Sequence, residues 1–216
     1  MAEAAKTTIK AAKKPGKYET ELALCQKYGG DVDRYRRLSF DAYQLEQIRL
    51  GLQHSVDVEH YLDPKLSWFE MEQQRKALES GIDITPYQKE GFDWMQLNEI
   101  QEGIKAGLDV KKYAKIEFLA PQMKELRLGL KNNLDVSLYA KPELDSFQMR
   151  EVRSGMERGI SMVAYANPRL KPYTIRALAL GKEHNIDAMV AVAKGHQGKI
   201  VLEYVKGRME GIDLME

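Results

Sequence analysis

A single cysteine, Cys25, leaves no partner for a disulfide, so oxidative cross-links do not hold this chain together and its chemistry suits a cytoplasmic protein. Long apolar runs are also lacking. The longest, Ala188 to Ala193, falls far short of the roughly 20 residues a membrane-spanning helix needs, so no membrane association is expected. Charge of one sign is missing as well. With 33 Lys+Arg against 32 Asp+Glu the net charge is +1, which excludes a polyelectrolyte that coats nucleic acid non-specifically. Lys6, Lys10, Lys13 and Lys14 stand among alanines and threonines without the apolar block and cleavage site of a signal peptide. Catalytic signatures are absent too. There is no GxxxxGK[ST], GxGxxG after a strand, GxSxG or HExxH, and His54, His60, His184 and His196 share no metal-ligand spacing. The expectation is a non-enzymatic protein without cofactor or metal.

What is present is a tandem repeat. Tyr35, Tyr61, Tyr87, Tyr113, Tyr139 and Tyr165 lie 26 residues apart, and Ala191 continues the series. Four residues before each slot stand Asp31, Asp57, Asp83, Asp109, Asp135, Ser161, Asp187 and Asp213, all able to cap a helix N-terminus. Two residues earlier come Gly29, Ser55, Gly81, Gly107, Asn133, Gly159, Asn185 and Gly211, types that tolerate a left-handed helix stop. A longer helix starts after Asp41, Ser67, Asp93 or Asp145. Its apolar face repeats at helical spacing, as in Leu45/Ile48/Leu52, Leu97/Ile100/Ile104, Met123/Leu126/Leu130 and Met149/Val152/Met156. Each unit reads as a long helix, a tight turn, a short helix and a connector, with no room for a strand.

Neither helix can bury its apolar face alone, and stacking neighbours solves this. The pattern predicts an all-α fold, an α-solenoid of about eight 26-residue helix-turn-short-helix repeats, right- or left-handed. Residues 18–216 form a single repeat domain, with 18–39 and 170–216 as caps. Residues 1–17, carrying five lysines and Glu3, form a flexible basic tail of +4, so the repeat body carries −3.

Two further columns bear on function. Ten residues before each tyrosine slot lie Cys25, Gly51, Ala77, Gly103, Gly129, Gly155, Gly181 and Gly207. A helix-interior glycine costs about 0.5 to 1 kcal/mol relative to alanine, and close approach of an adjacent backbone is the simplest reason for one. The tyrosines read as inter-repeat packing with a hydroxyl at the surface. Twelve residues before the tyrosine stand Arg49, Arg75, Gln101, Arg127 and Arg153, with Trp68 and Trp94 one column up on the same flank. This flank has two readings: an inter-repeat ladder in which each Arg bonds a Gln or carboxylate of the next layer, or a partner surface with the tryptophans as anchors.

The blocks EIQEGIKAGLDVKKYAK, ELRLGLKNNLDVSLYAKPELDSFQM and REVRSGMERGISMVAYANP resemble the short tandem helical repeats of uncharacterised bacterial proteins, of a type met in Firmicutes and their mobile elements, with a core like QMxEIRxGLxxGLDVxxYAxP. The resemblance covers residues 40 to 170 best. It implies an α-solenoid with no assigned activity, and a mobile-element setting implies interference with a host defence or replication complex.

The leading expectation is a binding scaffold that offers Arg49, Arg75, Arg127, Arg153, Gln101, Trp68 and Trp94 to a protein or peptide partner. The alternative is a nucleic-acid-binding repeat protein whose arginines and lysine tail neutralise phosphates. A monomer or weak homo-oligomer fits either one.

The small-residue column makes a direct prediction. Gly129→Leu is expected to cost several kcal/mol through overpacking, whereas Lys131→Ala is near neutral; equal denaturant midpoints for the two variants would refute the helical wheel.

Overall fold

The structure is a computed structural model, and it describes residues 15–212. Every regular element among them is helical. The long helices begin at Ala42, Trp68, Trp94, Ala120, Ser146 and Pro172, so helix starts recur along the chain with the 26-residue sequence period. The described residues fall into two compact units that divide between Thr85 and Pro86. The basic tail lies outside the described residues except for 15–17, as does Asp213; Lys17 already belongs to the first helix.

The first unit contains α1 (Lys17–Lys27), α2 (Val32–Arg37), α3 (Ala42–Gln53), a 3-10 turn at Val58–His60 and α4 (Trp68–Glu79), and α3 packs against both α1 and α4. The second contains α6 (Trp94–Lys105), α7 (Ala120–Lys131), α8 (Ser146–Glu157), α9 (Pro172–Glu183), α10 (Met189–Ala193) and α11 (Lys199–Met209), the long ones packed in series, α6 on α7, α7 on α8, α8 on α9 and α9 on α11. The short α5 (Thr85–Lys89) begins at the divide.

Each long helix ends the same way. The expected stop residues, from Gly29 to Gly211, all have positive φ, including the non-glycines Ser55, Asn133 and Asn185. The following N–H donates back to the carbonyl of the small column, as in Val56 to Gly51 at 2.9 Å, Leu108 to Gly103 at 3.0 Å and Ile212 to Gly207 at 2.7 Å. This six-to-one bond is the Schellman stop. The short elements are capped as expected by Asp31, Asp57 and Asp135; Asp83 and Asp187 accept from the first N–H of their short helices, at Thr85 and Met189, the latter helix having Ala188 at its cap, and Asp109 makes no side-chain cap bond.

The tyrosines and glycines explain each other, and not as their types suggested. Tyr61, Tyr113 and Tyr139 are fully buried, and their hydroxyls donate to the carbonyls of Gln47, Glu99 and Glu125, fourteen residues earlier. A Cβ at Gly51, Gly103 or Gly129 would overlap that hydroxyl oxygen. The glycine therefore makes room for a tyrosine of its own repeat, not for a neighbouring backbone, and the hydroxyl lies inside, not at the surface. Burial pushes the three phenols well above their ordinary range, so the O–H remains a donor. At Gly155 the same space is taken by the Met162 sulfur. Cys25, fully buried, keeps an inert thiol: burial pushes it up to about 11.

Glutamines tie one repeat to the next. In α3, α6 and α8 the side-chain oxygen of Gln44, Gln96 or Gln148 accepts from the backbone N–H of the helix's own cap, Asp41, Asp93 or Asp145, closing a capping box. In α7, Gln122 does the same with Leu119. The amide nitrogen then donates across to the next connector: Gln44 to Leu66 O at 2.6 Å, Gln96 to Phe118 O at 2.7 Å, Gln122 to Leu144 O at 2.6 Å and Gln148 to Leu170 O at 2.7 Å.

Repeat three departs from this pattern. α4 has Glu70 at the glutamine position, and a carboxylate has no N–H to donate. It also has Gln74 where its counterparts are Leu22, Ile48, Ile100, Leu126 and Val152. Gln74 is 1% exposed, and neither its amide nitrogen nor its oxygen has a hydrogen-bond partner. Orphaned buried polar atoms cost about 1–3 kcal/mol. Gln74→Leu, close in volume, is therefore expected to raise stability by about 1–3 kcal/mol, read as a higher urea midpoint; an unchanged or lower midpoint would show that the amide is satisfied in solution.

Candidate functional site

The arginine column turns inward. Arg49 Nε donates to Glu21 Oε2 at 2.7 Å, Arg75 Nε to Gln47 Oε1 at 3.2 Å, Arg127 Nε to Glu99 Oε2 at 2.7 Å and Arg153 Nε to Glu125 Oε2 at 2.9 Å. Each acceptor lies 28 residues earlier, one repeat and two positions back. Arg75 and Arg153 also reach Glu79 and Glu157 on their own helices, and Arg49 reaches Gln53. The four arginine side chains are only 7–16% exposed, and Gln101 is buried in α6. Of the two readings of this column, ladder or partner surface, the contacts of the four arginines are those of a ladder. A guanidinium whose fork is filled by a carboxylate has few donors left for a ligand. The acceptor column itself, Glu21, Gln47, Glu99 and Glu125, was readable at the same 26-residue spacing but carries no motif of its own.

The two tryptophans behave differently. Trp68 and Trp94 each open a long helix and are about half exposed. Each belongs to a strip within its own unit that the repeat columns did not single out. The first two positions of the long helices carry exposed Tyr43 and Trp68 in the first unit, and Trp94, Met95, Phe147 and Tyr173 in the second. Core packing cannot explain these side chains, because the apolar face of the same helices points elsewhere, through Leu45, Ile48, Met71, Ile100, Val152 and Ile175. In the first unit the Trp68 ring lies 6.5 Å from Tyr43 and 6.1 Å edge-on from Phe69, while the Lys17 ammonium sits 3.6 Å over Tyr43. In the second unit Arg150 lies 5.6 Å over Phe147, and Arg176 and Lys199 lie 5.5 and 5.8 Å over Tyr173.

Between α6, α7 and α8 the strip opens into a cleft of about 320 Å³ lined by Trp94, Met95, Ala120, Pro121, Lys124, Ser146 and Arg150, with Glu99 and Glu125 among its walls. Three turns of helix thus hold aromatic and aliphatic groups beside two cations. Among the described residues no group of three His, Cys, Asp or Glu is placed to hold a metal ion, and no described helix is long and apolar enough to cross a membrane. No family model matches the chain, and neither a curated protein nor a solved structure does.

Breaking the ladder should tell structure from surface. Arg127→Ala leaves Glu99, with a side chain 12% exposed, without its cation, and an expected loss of about 2–3 kcal/mol follows. Lys111→Ala, at an exposed position of the 3-10 turn Val110–Lys112, should change stability by under about 0.5 kcal/mol. Equal urea midpoints for the two variants would mean that the arginines are surface groups after all.

Proposed function

We propose that the chain is a helical-repeat binding scaffold, an α-solenoid of 26-residue units that presents, in each unit, a strip of apolar side chains at the N-terminal turns of its long helices to a protein partner. The observation that carries this reading is the recurrence of exposed Tyr43, Trp68, Trp94, Met95, Phe147 and Tyr173 at two adjacent repeat positions, on helices whose opposite faces are fully buried. Exposed apolar groups in register form a surface, whereas scattered ones do not. The solenoid is supported inside each unit by bonds that repeat with the period: the glutamine bridge, the arginine ladder and the Schellman stop. Arginines committed to that ladder support a protein partner over nucleic acid, since the alternative relied on them to meet phosphates.

Two measurements test this. Small-angle scattering should give a radius of gyration well above the about 17 Å of a compact globule of this length; a value at that figure counts against the solenoid. Affinity capture should recover a partner with the wild-type chain and lose it with the double variant Trp94→Ala/Phe147→Ala, whose circular dichroism and melting should be unchanged because both side chains are exposed. Identical recovery by both proteins would overturn the strip as the binding surface.

A further inference from the structure

The strip is bordered by a column of side chains that changes sign along the chain. Four residues into each long helix stand Glu46 and Glu72 in the first unit, then Asn98, Lys124, Arg150 and Arg176 in the second. Glu46 pairs with Lys17 at 2.9 Å and Glu72 with Lys76 at 2.8 Å, so the first unit's carboxylates are answered internally. In the second unit the cations are less committed. Lys124 is exposed and forms no ion pair with a described residue. Arg150, with a side chain 53% exposed, shares Glu125 with Arg153, each arginine taking one carboxylate oxygen, at 3.3 and 2.9 Å. Glu125 is almost fully buried and would be costly to orphan. Because Arg153 holds it from the ladder side, Arg150 can turn to a ligand without leaving Glu125 alone. Arg176, by contrast, is held in a two-pronged pair by Glu151.

Resting on the scaffold reading above, we infer that the cleft of the second unit binds an extended acidic segment of a partner protein, with one large apolar side chain seated among Trp94, Met95 and Pro121 and flanking carboxylates bonded to Lys124 and Arg150. Charge complementarity selects this occupant. The cleft offers apolar surface, one free ammonium and one releasable guanidinium in a row across α6, α7 and α8. At about 8–10 Å between packed helices, that row spans roughly 20 Å, or about six residues of extended chain. A polynucleotide, with a charge on every nucleotide, fits less well, because the cleft sets only two cations beside apolar surface.

The test uses the full chain and fluorescein-labelled peptides of about ten residues: one with Leu-Phe at its centre and Glu on both sides, one with Lys in place of every Glu, and one with Ser in place of Leu-Phe. The acidic, anchored peptide should bind, and the other two should bind on the order of tenfold more weakly or not at all. Lys124→Glu should weaken the acidic peptide on the order of tenfold and make its affinity less sensitive to salt, and Trp94→Ala should weaken it comparably. Binding of the acidic and basic peptides with equal affinity, lost in Trp94→Ala but indifferent to Lys124→Glu, would overturn the acidic specificity and leave the scaffold reading standing. A peptide affinity unmoved by Trp94→Ala, or no binding of any anchored peptide, would overturn both. Tighter binding of a single-stranded oligonucleotide than of the acidic peptide, abolished by Lys124→Glu, would replace the protein segment by nucleic acid.

Discussion

One side-chain amide acts at two places in each regular repeat, and most of the architecture follows from it. The glutamine oxygen closes the cap of its own helix, while its nitrogen bonds the carbonyl of a buried or half-buried residue in the next connector, 22 residues on. A helix start and a neighbour's connector are thereby set by one group. Neither bond is strong alone, since a hydrogen bond contributes about 0.5–1.5 kcal/mol net. Their value lies in register. With helix starts held in step, neighbouring long helices within a unit meet through corresponding residues, as the glutamine and arginine bonds show.

Within that register the polar residues sort by what the next layer offers. The arginines find a carboxylate or amide one repeat back and are drawn into a half-buried ladder, where the pairing offsets their desolvation. The residues at the first two helical positions have no layer to face. There the aromatic and aliphatic side chains stay exposed, bordered by cations that lie over Phe147 and Tyr173. Stability and presentation are thus assigned to different columns of one helix. That separation lets Arg150 belong to both: its buried partner, Glu125, is already secured by Arg153.

Departures from the pattern are as informative as the pattern. Glu70 replaces the bridging glutamine and Gln74 interrupts the apolar column in the same helix, α4, and the divide between the two compact units follows within a few residues. In the sixth repeat Met162 fills the space over Gly155 that a tyrosine fills elsewhere, and Tyr165 is only half buried. A small residue stands in the helix whether the group over it is a tyrosine, the Met162 sulfur or, at Gly181, the backbone carbonyl of Ile186.

Local chemistry made the helical elements legible without the fold. The stop residues, from Gly29 to Gly211, could be placed because only a few side chains tolerate a left-handed backbone, and the capping aspartates and apolar triples followed from hydrogen bonding and helical spacing. Even so, Leu52, Ile104, Leu130 and Met156, at the ends of those triples, are only half buried. Direction was beyond local rules. A glycine beside a tyrosine column does not say which backbone or side chain fills its space, and an arginine column is compatible with either a ladder or a ligand, because both uses need the same residue at the same spacing. Those choices depend on what lies 10, 14 or 28 residues away across a helix interface. Composition and period determined that this is an all-helical chain of 26-residue units; only packing decided that the tyrosine hydroxyls and arginines point in and that the tryptophans remain outside, since burial is a property of neighbours and not of the residue itself.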